Sequence, residues 1–250
     1  MKVLTVAAGK GGTGKTTTAV SIAGVLAEQG KRVLVIDLDS QGTATTYLGA
    51  KAEGRALLDL FLEGGSLADI VKPSCVEGVD IVPASIALAR AETLAQEPGA
   101  QAILRERVRE LPAKRWDFVV VDTPPGLGFL FISGLVAADA VVVPVEASTT
   151  AVGTLDGFLR TLDNVRRLNP TLALAGLLLC RTDSRARLSA DLHAHLRETY
   201  GDRVFSAVVR DTVRLREAWS HSQPITRYDG RGIGAADYRA ATAELVERLG

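Results

Sequence analysis

Runs of apolar, β-branched residues alternate with longer helical stretches along most of the chain. Several of the apolar runs do not alternate with polar residues, which is typical of strands covered on both faces. Seven runs predict strands, at residues 3–8, 33–38, 79–83, 118–122, 140–145, 172–180 and 204–209. The stretches between and after them predict helices at residues 16–29, 87–95, 100–111, 127–138, 154–168, 188–200, 212–220 and 235–249.

This alternation predicts the fold class. Strands separated by helices form a mostly parallel, twisted β-sheet through right-handed crossovers, with helices on both faces. A chain of 250 residues accommodates one such α/β domain, so we expect residues 1–250 to form a single domain. Residues 42–78 are the least regular part, and we expect loops there with one short helix near residues 57–62.

Composition narrows the classes of protein that this sequence can encode. The 29 basic residues are balanced by 29 acidic residues, which argues against coating nucleic acid with the whole surface but leaves room for a local basic patch. Cys75 and Cys180 are too widely spaced to support a disulfide framework, a zinc site or an iron–sulfur cluster. No signal peptide or membrane-spanning stretch is predicted, so we expect a cytoplasmic protein.

A glycine-rich loop joins the first predicted strand to the first predicted helix, as in a P-loop NTPase. In this context backbone N–H groups turn inward around phosphate oxygens, and the helix N-terminus adds a favourable dipole. Lys15 is expected to reach the β- and γ-phosphates of ATP, and the Thr16 hydroxyl to ligate Mg²⁺. The residues predicted to bind the nucleotide are Gly11, Gly12, Thr13, Gly14, Lys15, Thr16 and Thr17.

Two further predicted strands lead into carboxylates, at the sheet edge where open α/β sheets bind ligands. Asp122 ends an apolar strand and is expected to hold Mg²⁺ through water. Asp37 and Asp39 share a face of an extended chain, so one is expected to act on the attacking water while the other supports the Mg²⁺ shell. The predicted metal site therefore consists of Thr16, Asp37 and Asp122.

Together these segments resemble the deviant Walker A ATPases of the ParA/MinD superfamily. Residues 10–17 are similar to the Walker A motif of that superfamily, residues 37–42 to its first switch, and residues 122–125 to its Walker B motif and second switch. The resemblance covers essentially the whole chain, because further segments are similar to the short, Soj-type ParA chromosome partition proteins: residues 179–185, 213–218, 223–225 and 234–239.

The resemblance implies a homodimer that forms with ATP. Lys10 would cross to the nucleotide of the partner subunit, Gly11 would lie where the subunits approach closely, and Asp39 would act on the attacking water. The expected catalytic set is Lys10, Lys15 and Asp39. A lysine supplied by the partner completes the site only in the dimer, so hydrolysis would release the subunits.

A local excess of arginine suggests what the dimer binds. Residues 181–216 carry eight arginines and five acidic residues. Arginines on a dimer face contact phosphates without reading bases, and the scarcity of aromatic residues argues against single-strand stacking. By the resemblance, Arg185 and Arg214 match positions used for nonspecific binding of double-stranded DNA. The implied function is chromosome or plasmid partition on the nucleoid, with hydrolysis stimulated by a ParB-like centromere-binding partner.

Two alternative functions stay open at the level of sequence. A MinD-like ATPase that acts at the membrane surface needs a basic amphipathic C-terminal helix. Residues 241–250 carry two acids and one base, so we expect no stable membrane association. A ParA-like ATPase that positions a protein assembly would use the same residues as a partition protein. The adenine contacts also stay open, because Arg210, Asp211 and Thr212 replace the usual Pro-Arg-Asn of the family.

Overall fold

The computed structural model describes residues 1–147, 151–182 and 187–250. Within these residues eight strands form one sheet: β1 (Lys2–Val6), β2 (Val33–Asp37), β3 (Lys72–Pro73), β4 (Val79–Val82), β5 (Phe118–Asp122), β6 (Ala140–Glu146), β7 (Ala173–Thr182) and β8 (Val204–Arg210). Their order across the sheet is β3-β4-β2-β5-β1-β6-β7-β8. The pair β3 and β4 is antiparallel and the other neighbouring pairs are parallel, which confirms the predicted mostly parallel sheet.

Helices connect the strands in the same described ranges. The α-helices are α1 (Lys15–Glu28), α2 (Thr43–Tyr47), α3 (Ala56–Leu62), α4 (Ile103–Arg109), α5 (Phe129–Ala137), α6 (Ala151–Val165), α7 (Arg187–Tyr200), α8 (Val213–Ser220), α9 (Ile225–Tyr228) and α10 (Ile233–Leu249). Four 3₁₀-helices accompany them, at Leu67–Ile70, Ile86–Gln96, Ala100–Ala102 and Gly201–Arg203. No helix among the described residues combines the length and apolar character needed to cross a membrane.

Both faces of the sheet are covered, because successive strand residues point to opposite sides. Leu4 and Val6 of β1 belong to a core cluster with α1, α9 and α10, whereas Val3 belongs to a cluster with α3, α4 and α5. A third cluster joins β6 and β7 to α5, α6 and α7. Double coverage explains why these strands are apolar throughout rather than alternating.

The short elements of the chain differ most from the predictions. The helix expected near residues 57–62 is present as α3, and α2, α9 and β3 are additional elements of five, four and two residues. The α-helix predicted at residues 87–95 was wrong in type, since Ile86–Gln96 is a 3₁₀-helix. Its buried residues Leu88 and Ala91 are three positions apart, which matches three residues per turn.

Each edge of the sheet has its own termination. At one edge, β3 is two residues long and its second residue is Pro73, which has no backbone N–H to donate. At the other edge, the Glu244 carboxylate of α10 accepts hydrogen bonds from the backbone N–H groups of Ser206 and Ala207 in β8. The Asp237 carboxylate, also from α10, accepts one from the backbone N–H of Arg210.

The carboxyl edge of the central strands brings the predicted site segments together. β5 lies between β1 and β2, with Asp122 in register with Val6 on one side and with Asp37 on the other. The glycine-rich loop that follows β1 therefore meets the carboxylates that end β2 and β5.

Helix α1, which carries the end of this loop, approaches the segment around α9 closely at Gly24. A Cβ atom added at Gly24 would lie 2.8 Å from the Thr226 hydroxyl oxygen and 3.2 Å from Pro224 Cβ. The packing of α1 against the C-terminal part of the chain therefore depends on the absence of a side chain at this position.

We predict that Gly24→Ala lowers the free energy of unfolding by about 1–3 kcal/mol, because the added methyl group overpacks this contact. The control is Gly157→Ala in α6, where no atom lies within 4 Å of the added Cβ. That control should raise the free energy of unfolding by about 0.5–1 kcal/mol, since alanine favours a helix interior. Guanidinium denaturation followed by circular dichroism measures both, and equal effects would contradict the packing argument.

Candidate functional site

The glycine-rich loop adopts a conformation that exposes backbone donors. Gly12 has φ of 79° and Gly14 has φ of 90°, in the left-handed region that glycine enters without steric cost. Gly14 is the N-cap of α1 and supplies no side-chain cap, so the first N–H groups of the helix stay available. An anion placed at this helix N-terminus would be favoured by these donors and by the helix dipole.

A cavity of about 720 Å³ opens beside the loop. Its size suits a nucleotide-sized ligand. The predicted nucleotide-binding residues that line it are Gly11, Gly12, Gly14, Lys15, Thr16 and Thr17. Thr13 does not line this cavity, because its side chain is buried on the other side of the loop beside Leu155 and Phe158.

Lys15 is a buried cation at the floor of this cavity, 7% exposed. Its Nζ donates to the backbone carbonyl of Lys10 at 3.3 Å. Burial lowers the pKa of the Lys15 ammonium, while the carboxylates of Asp122 and Asp39 oppose this shift. Anionic phosphates bound beside Lys15 would therefore balance the charge of its ammonium group.

Asp122 ends β5 as a buried carboxylate without a partner at hydrogen-bonding geometry. Both of its carboxylate oxygens lack one among the described residues. Burial raises the pKa of its carboxyl well above the ordinary value and the nearby Asp37 adds to this, while the neighbouring hydroxyl of Thr16 opposes it. A buried carboxylate of this kind fits a hydrated divalent cation, because oxygen donors are the ligands that Mg²⁺ prefers.

Asp37 is also fully buried, but its oxygens are already engaged by the protein. One oxygen accepts from the backbone N–H and the hydroxyl of Thr45, at 2.8 and 2.7 Å, and the other accepts from the backbone N–H of Asp39 at 3.0 Å. Burial raises the pKa of the Asp37 carboxyl to about 6. Asp37 therefore organises the turn between β2 and α2, and its place in a Mg²⁺ shell stays a prediction.

Thr45 is a site residue that the sequence analysis missed. Besides donating to Asp37, its hydroxyl accepts a hydrogen bond from the backbone N–H of Ala84 at 2.9 Å. It lies in the short helix α2, within the segment expected to be loop-rich, and no local pattern marks its contact with a residue 39 positions away. Asp39 itself lines the cavity, and one of its oxygens accepts from the backbone N–H of Gln41.

Lys10 lies apart from the cavity that Lys15 and Asp39 line. Its side chain is about half exposed, and its Nζ lies 3.8 Å from Glu146. Glu146 also pairs with Arg181 at 3.0 Å, and the same Arg181 nitrogen donates to the carbonyl of Gly12 at 3.1 Å. Arg181, one of the eight arginines of residues 181–216, therefore lies beside the phosphate loop.

Carboxylates partly neutralise the arginine-rich segment at residues 181–216. Arg214 of α8 is 60% exposed and pairs with Glu217 at 2.9 Å. Arg210 pairs with Asp237, and Arg216 pairs with Asp211. Arg185 lies outside the residues that the structure describes.

Comparison with known proteins gives consistent matches along the chain. A family model described as an AAA domain matches residues 1–174. The chain is 42% identical over 241 residues to the chromosome-partitioning ATPase Soj of Thermus thermophilus, covering 96% of this chain and 93% of the relative. It is 37% identical over 248 residues to the sporulation initiation inhibitor protein Soj of Bacillus subtilis, covering 98% of each.

A solved structure matches over a similar length. Cobyrinic acid a,c-diamide synthase from Mycobacterium smegmatis, with a bound ATP analogue and magnesium, superposes with a TM-score of 0.88 and 33% sequence identity. The match covers 100% of this chain and 95% of that one.

We predict that Thr45→Val lowers the free energy of unfolding by about 1–3 kcal/mol in the absence of nucleotide, because it leaves a buried N–H unpaired and removes a donor to Asp37. Thr45→Ser keeps the hydroxyl and should retain most of the stability. Urea denaturation followed by tryptophan fluorescence compares the three proteins. Equal stability of the valine and serine variants would show that the hydroxyl does not organise the turn.

Proposed function

The chain belongs to the ParA/MinD superfamily of ATPases, and from this premise we propose that it drives chromosome or plasmid partition as an ATP-dependent dimer on double-stranded DNA. It binds ATP with Mg²⁺ and hydrolyses the ATP to ADP and phosphate. The observation that carries the proposal is the buried ammonium of Lys15, within electrostatic reach of the buried carboxylate of Asp122, beside the glycine-rich loop.

The residues of the site fit a nucleotide with a divalent cation. Backbone donors of the loop and the ammonium of Lys15 would hold the phosphates, and Thr16 with Asp122 would hold the Mg²⁺ shell. Asp37 would support that shell indirectly, since its oxygens are occupied. When bound, Mg²⁺ supplies positive charge that offsets the charge on the β- and γ-phosphates. The ATP analogue and magnesium bound by the Mycobacterium smegmatis synthase support this assignment.

We assign the hydrolytic roles to two residues on different sides of the loop. Asp39 lines the cavity and would orient the attacking water. Lys10 is exposed outside the cavity, where a partner subunit can reach it, and its long contact with Glu146 is open to solvent. A dimer in which each Lys10 enters the partner's site would be complete only with ATP bound.

DNA binding is assigned to two arginines, Arg214 of α8 and Arg185. Arg214 is the described member of this pair, and its pairing with Glu217 is solvent-exposed, so DNA phosphates can compete for it. The assignment of Arg185 rests on the sequence alone. Dimerisation would double the basic surface and make DNA affinity depend on ATP. A ParB-like centromere-binding partner would stimulate hydrolysis on the nucleoid, as the partition role of the Thermus thermophilus relative suggests.

We predict that Lys10→Ala lowers ATP hydrolysis by about a hundredfold, because it removes a charge that acts only in the assembled dimer. ATP affinity should change by less than about threefold, since ground-state binding does not use this residue. Nucleotide binding, sedimentation with ATP and phosphate release measure the three properties. Lys51→Ala removes another exposed lysine outside the cavity and serves as the control. Equal losses of binding, dimerisation and hydrolysis in Lys10→Ala would refute the assignment.

We predict that duplex DNA is bound at low salt with ATP but not with ADP or without nucleotide. Arg214→Glu and Arg185→Glu should each weaken this binding by about tenfold or more, because they replace a phosphate contact by a repulsion. ATP-driven dimerisation should stay intact in both variants.

The matched control for this experiment is Arg107→Glu. Arg107, in the last turn of α4, forms a similar pair with Glu110, the residue that caps this helix. Helix α4 packs on the opposite face of the sheet from α8. Substitution of Arg107 should leave DNA binding unchanged. If the protein dimerises with ATP but does not bind DNA, the ATPase assignment would stand. The proposed DNA role would then be withdrawn in favour of a membrane or protein partner.

A further inference from the structure

Helix α8 supplies a wall of the nucleotide cavity that the roles assigned above do not use. We call this the α8 wall, formed by Leu215, Arg216 and Trp219. Trp219 is 50% exposed, although an indole side chain gains from burial. The phosphate loop lines the same cavity. A ligand whose phosphates bind in the loop would therefore occupy a cavity that this indole also lines.

The α8 wall is held in place by three polar contacts. The Thr212 hydroxyl caps the helix by accepting from the backbone N–H of Leu215 at 3.2 Å. The Tyr47 hydroxyl lies 3.4 Å from the Leu215 carbonyl, to which it donates. The Tyr228 hydroxyl donates to the Glu217 carboxylate at 3.1 Å. A helix anchored on several sides presents Trp219 in a defined position before any ligand binds.

Tyr47 lies between this wall and the phosphate loop in the lining of the cavity. Its hydroxyl donates to the Leu215 carbonyl, and the nearby Thr17 side chain opposes the rise that burial causes in the pKa of Tyr47. Thr17 belongs to the first turn of α1, two residues after the lysine of the loop. Tyr47 therefore neighbours both the α8 wall and the helix turn that follows the phosphate loop.

The charged groups of this end of the cavity are already paired. Arg216 donates to both carboxylate oxygens of Asp211 at 2.8 Å, and Arg210 is held by Asp237. The wall thus offers an aromatic face and balanced charges rather than a free cation. Such a surface suits a neutral planar ring better than a phosphate group.

We propose that Trp219 stacks on the base of the bound nucleotide and so makes this site prefer nucleotides to bare polyphosphates. The inference rests on the ATP site of the proposed function, because the loop and Lys15 fix the phosphates within the same cavity. Stacking tolerates any base, so Trp219 contributes affinity for the nucleoside part of the ligand and none for its phosphates.

The test compares the parent protein with Trp219→Leu and Trp219→Phe, using Mg²⁺ with either ATP or inorganic tripolyphosphate as ligand. Calorimetric titration should show ATP bound roughly five- to a hundredfold more weakly by the leucine variant. Tripolyphosphate affinity should stay the same, and phenylalanine should restore most of the ATP affinity.

Intrinsic fluorescence gives an independent readout, since the chain has two tryptophans. Trp116 is buried just before β5, at the opposite end of that strand from Asp122, and its Nε1 donates to Asp80 at 2.9 Å. ATP should therefore change the emission of the parent protein and of Trp116→Phe but not that of Trp219→Phe.

The outcomes separate this inference from the proposed function. Equal ATP affinities in all three proteins, or a parallel loss of ATP and tripolyphosphate binding in the leucine variant, would overturn the stacking role and leave the ATPase assignment standing. A parent protein that binds neither ligand with Mg²⁺ would instead overturn the proposed function, and with it the premise of the stacking role.

Discussion

The buried carboxylate of Asp122 sets the arrangement of the nucleotide site. Asp122 lies at the end of a central strand, where its side chain is shielded from water. This burial costs free energy when the carboxylate is ionised. The neighbouring groups respond in different ways. Asp37 receives donors from Thr45 and from the chain, whereas Lys15 is kept buried within the electrostatic reach of Asp122. The charges of these two groups are fully balanced only when a cation binds beside the carboxylate and an anion binds beside the lysine. A nucleotide with Mg²⁺ provides both.

The parts that could be predicted from sequence are those whose signal is local. Continuous apolar runs indicate the doubly covered strands, and the glycines before Lys15 indicate the loop, because both follow from a few consecutive residues. Thr45 and Arg181 could not be assigned in this way, since their partners Ala84 and Glu146 are distant in the chain. Composition likewise does not reveal that Arg210 and Arg216 are paired with carboxylates.

Helix α8 connects two of the proposed roles. It carries Trp219 in the cavity and Arg214 on the exposed surface, five positions apart and therefore on different sides of the helix. Tyr47 donates to the Leu215 carbonyl of the same helix and lines the cavity with Thr17 of the first turn of α1. A ligand that presses on the α8 wall thus acts on the element that bears the proposed DNA contact, which gives nucleotide state a short physical route to the DNA surface.

The terminations of the sheet have a consequence for how copies of this chain can meet. An open sheet edge invites another strand to add to it, and this is a common route to aggregation and to edge-to-edge dimers. The short β3 with Pro73 offers little backbone to such a strand, and Glu244 occupies donors of β8 at the other edge. Strand addition is therefore disfavoured from both sides. The proposed dimer would therefore form without merging the two sheets, and its subunits could separate again without unfolding.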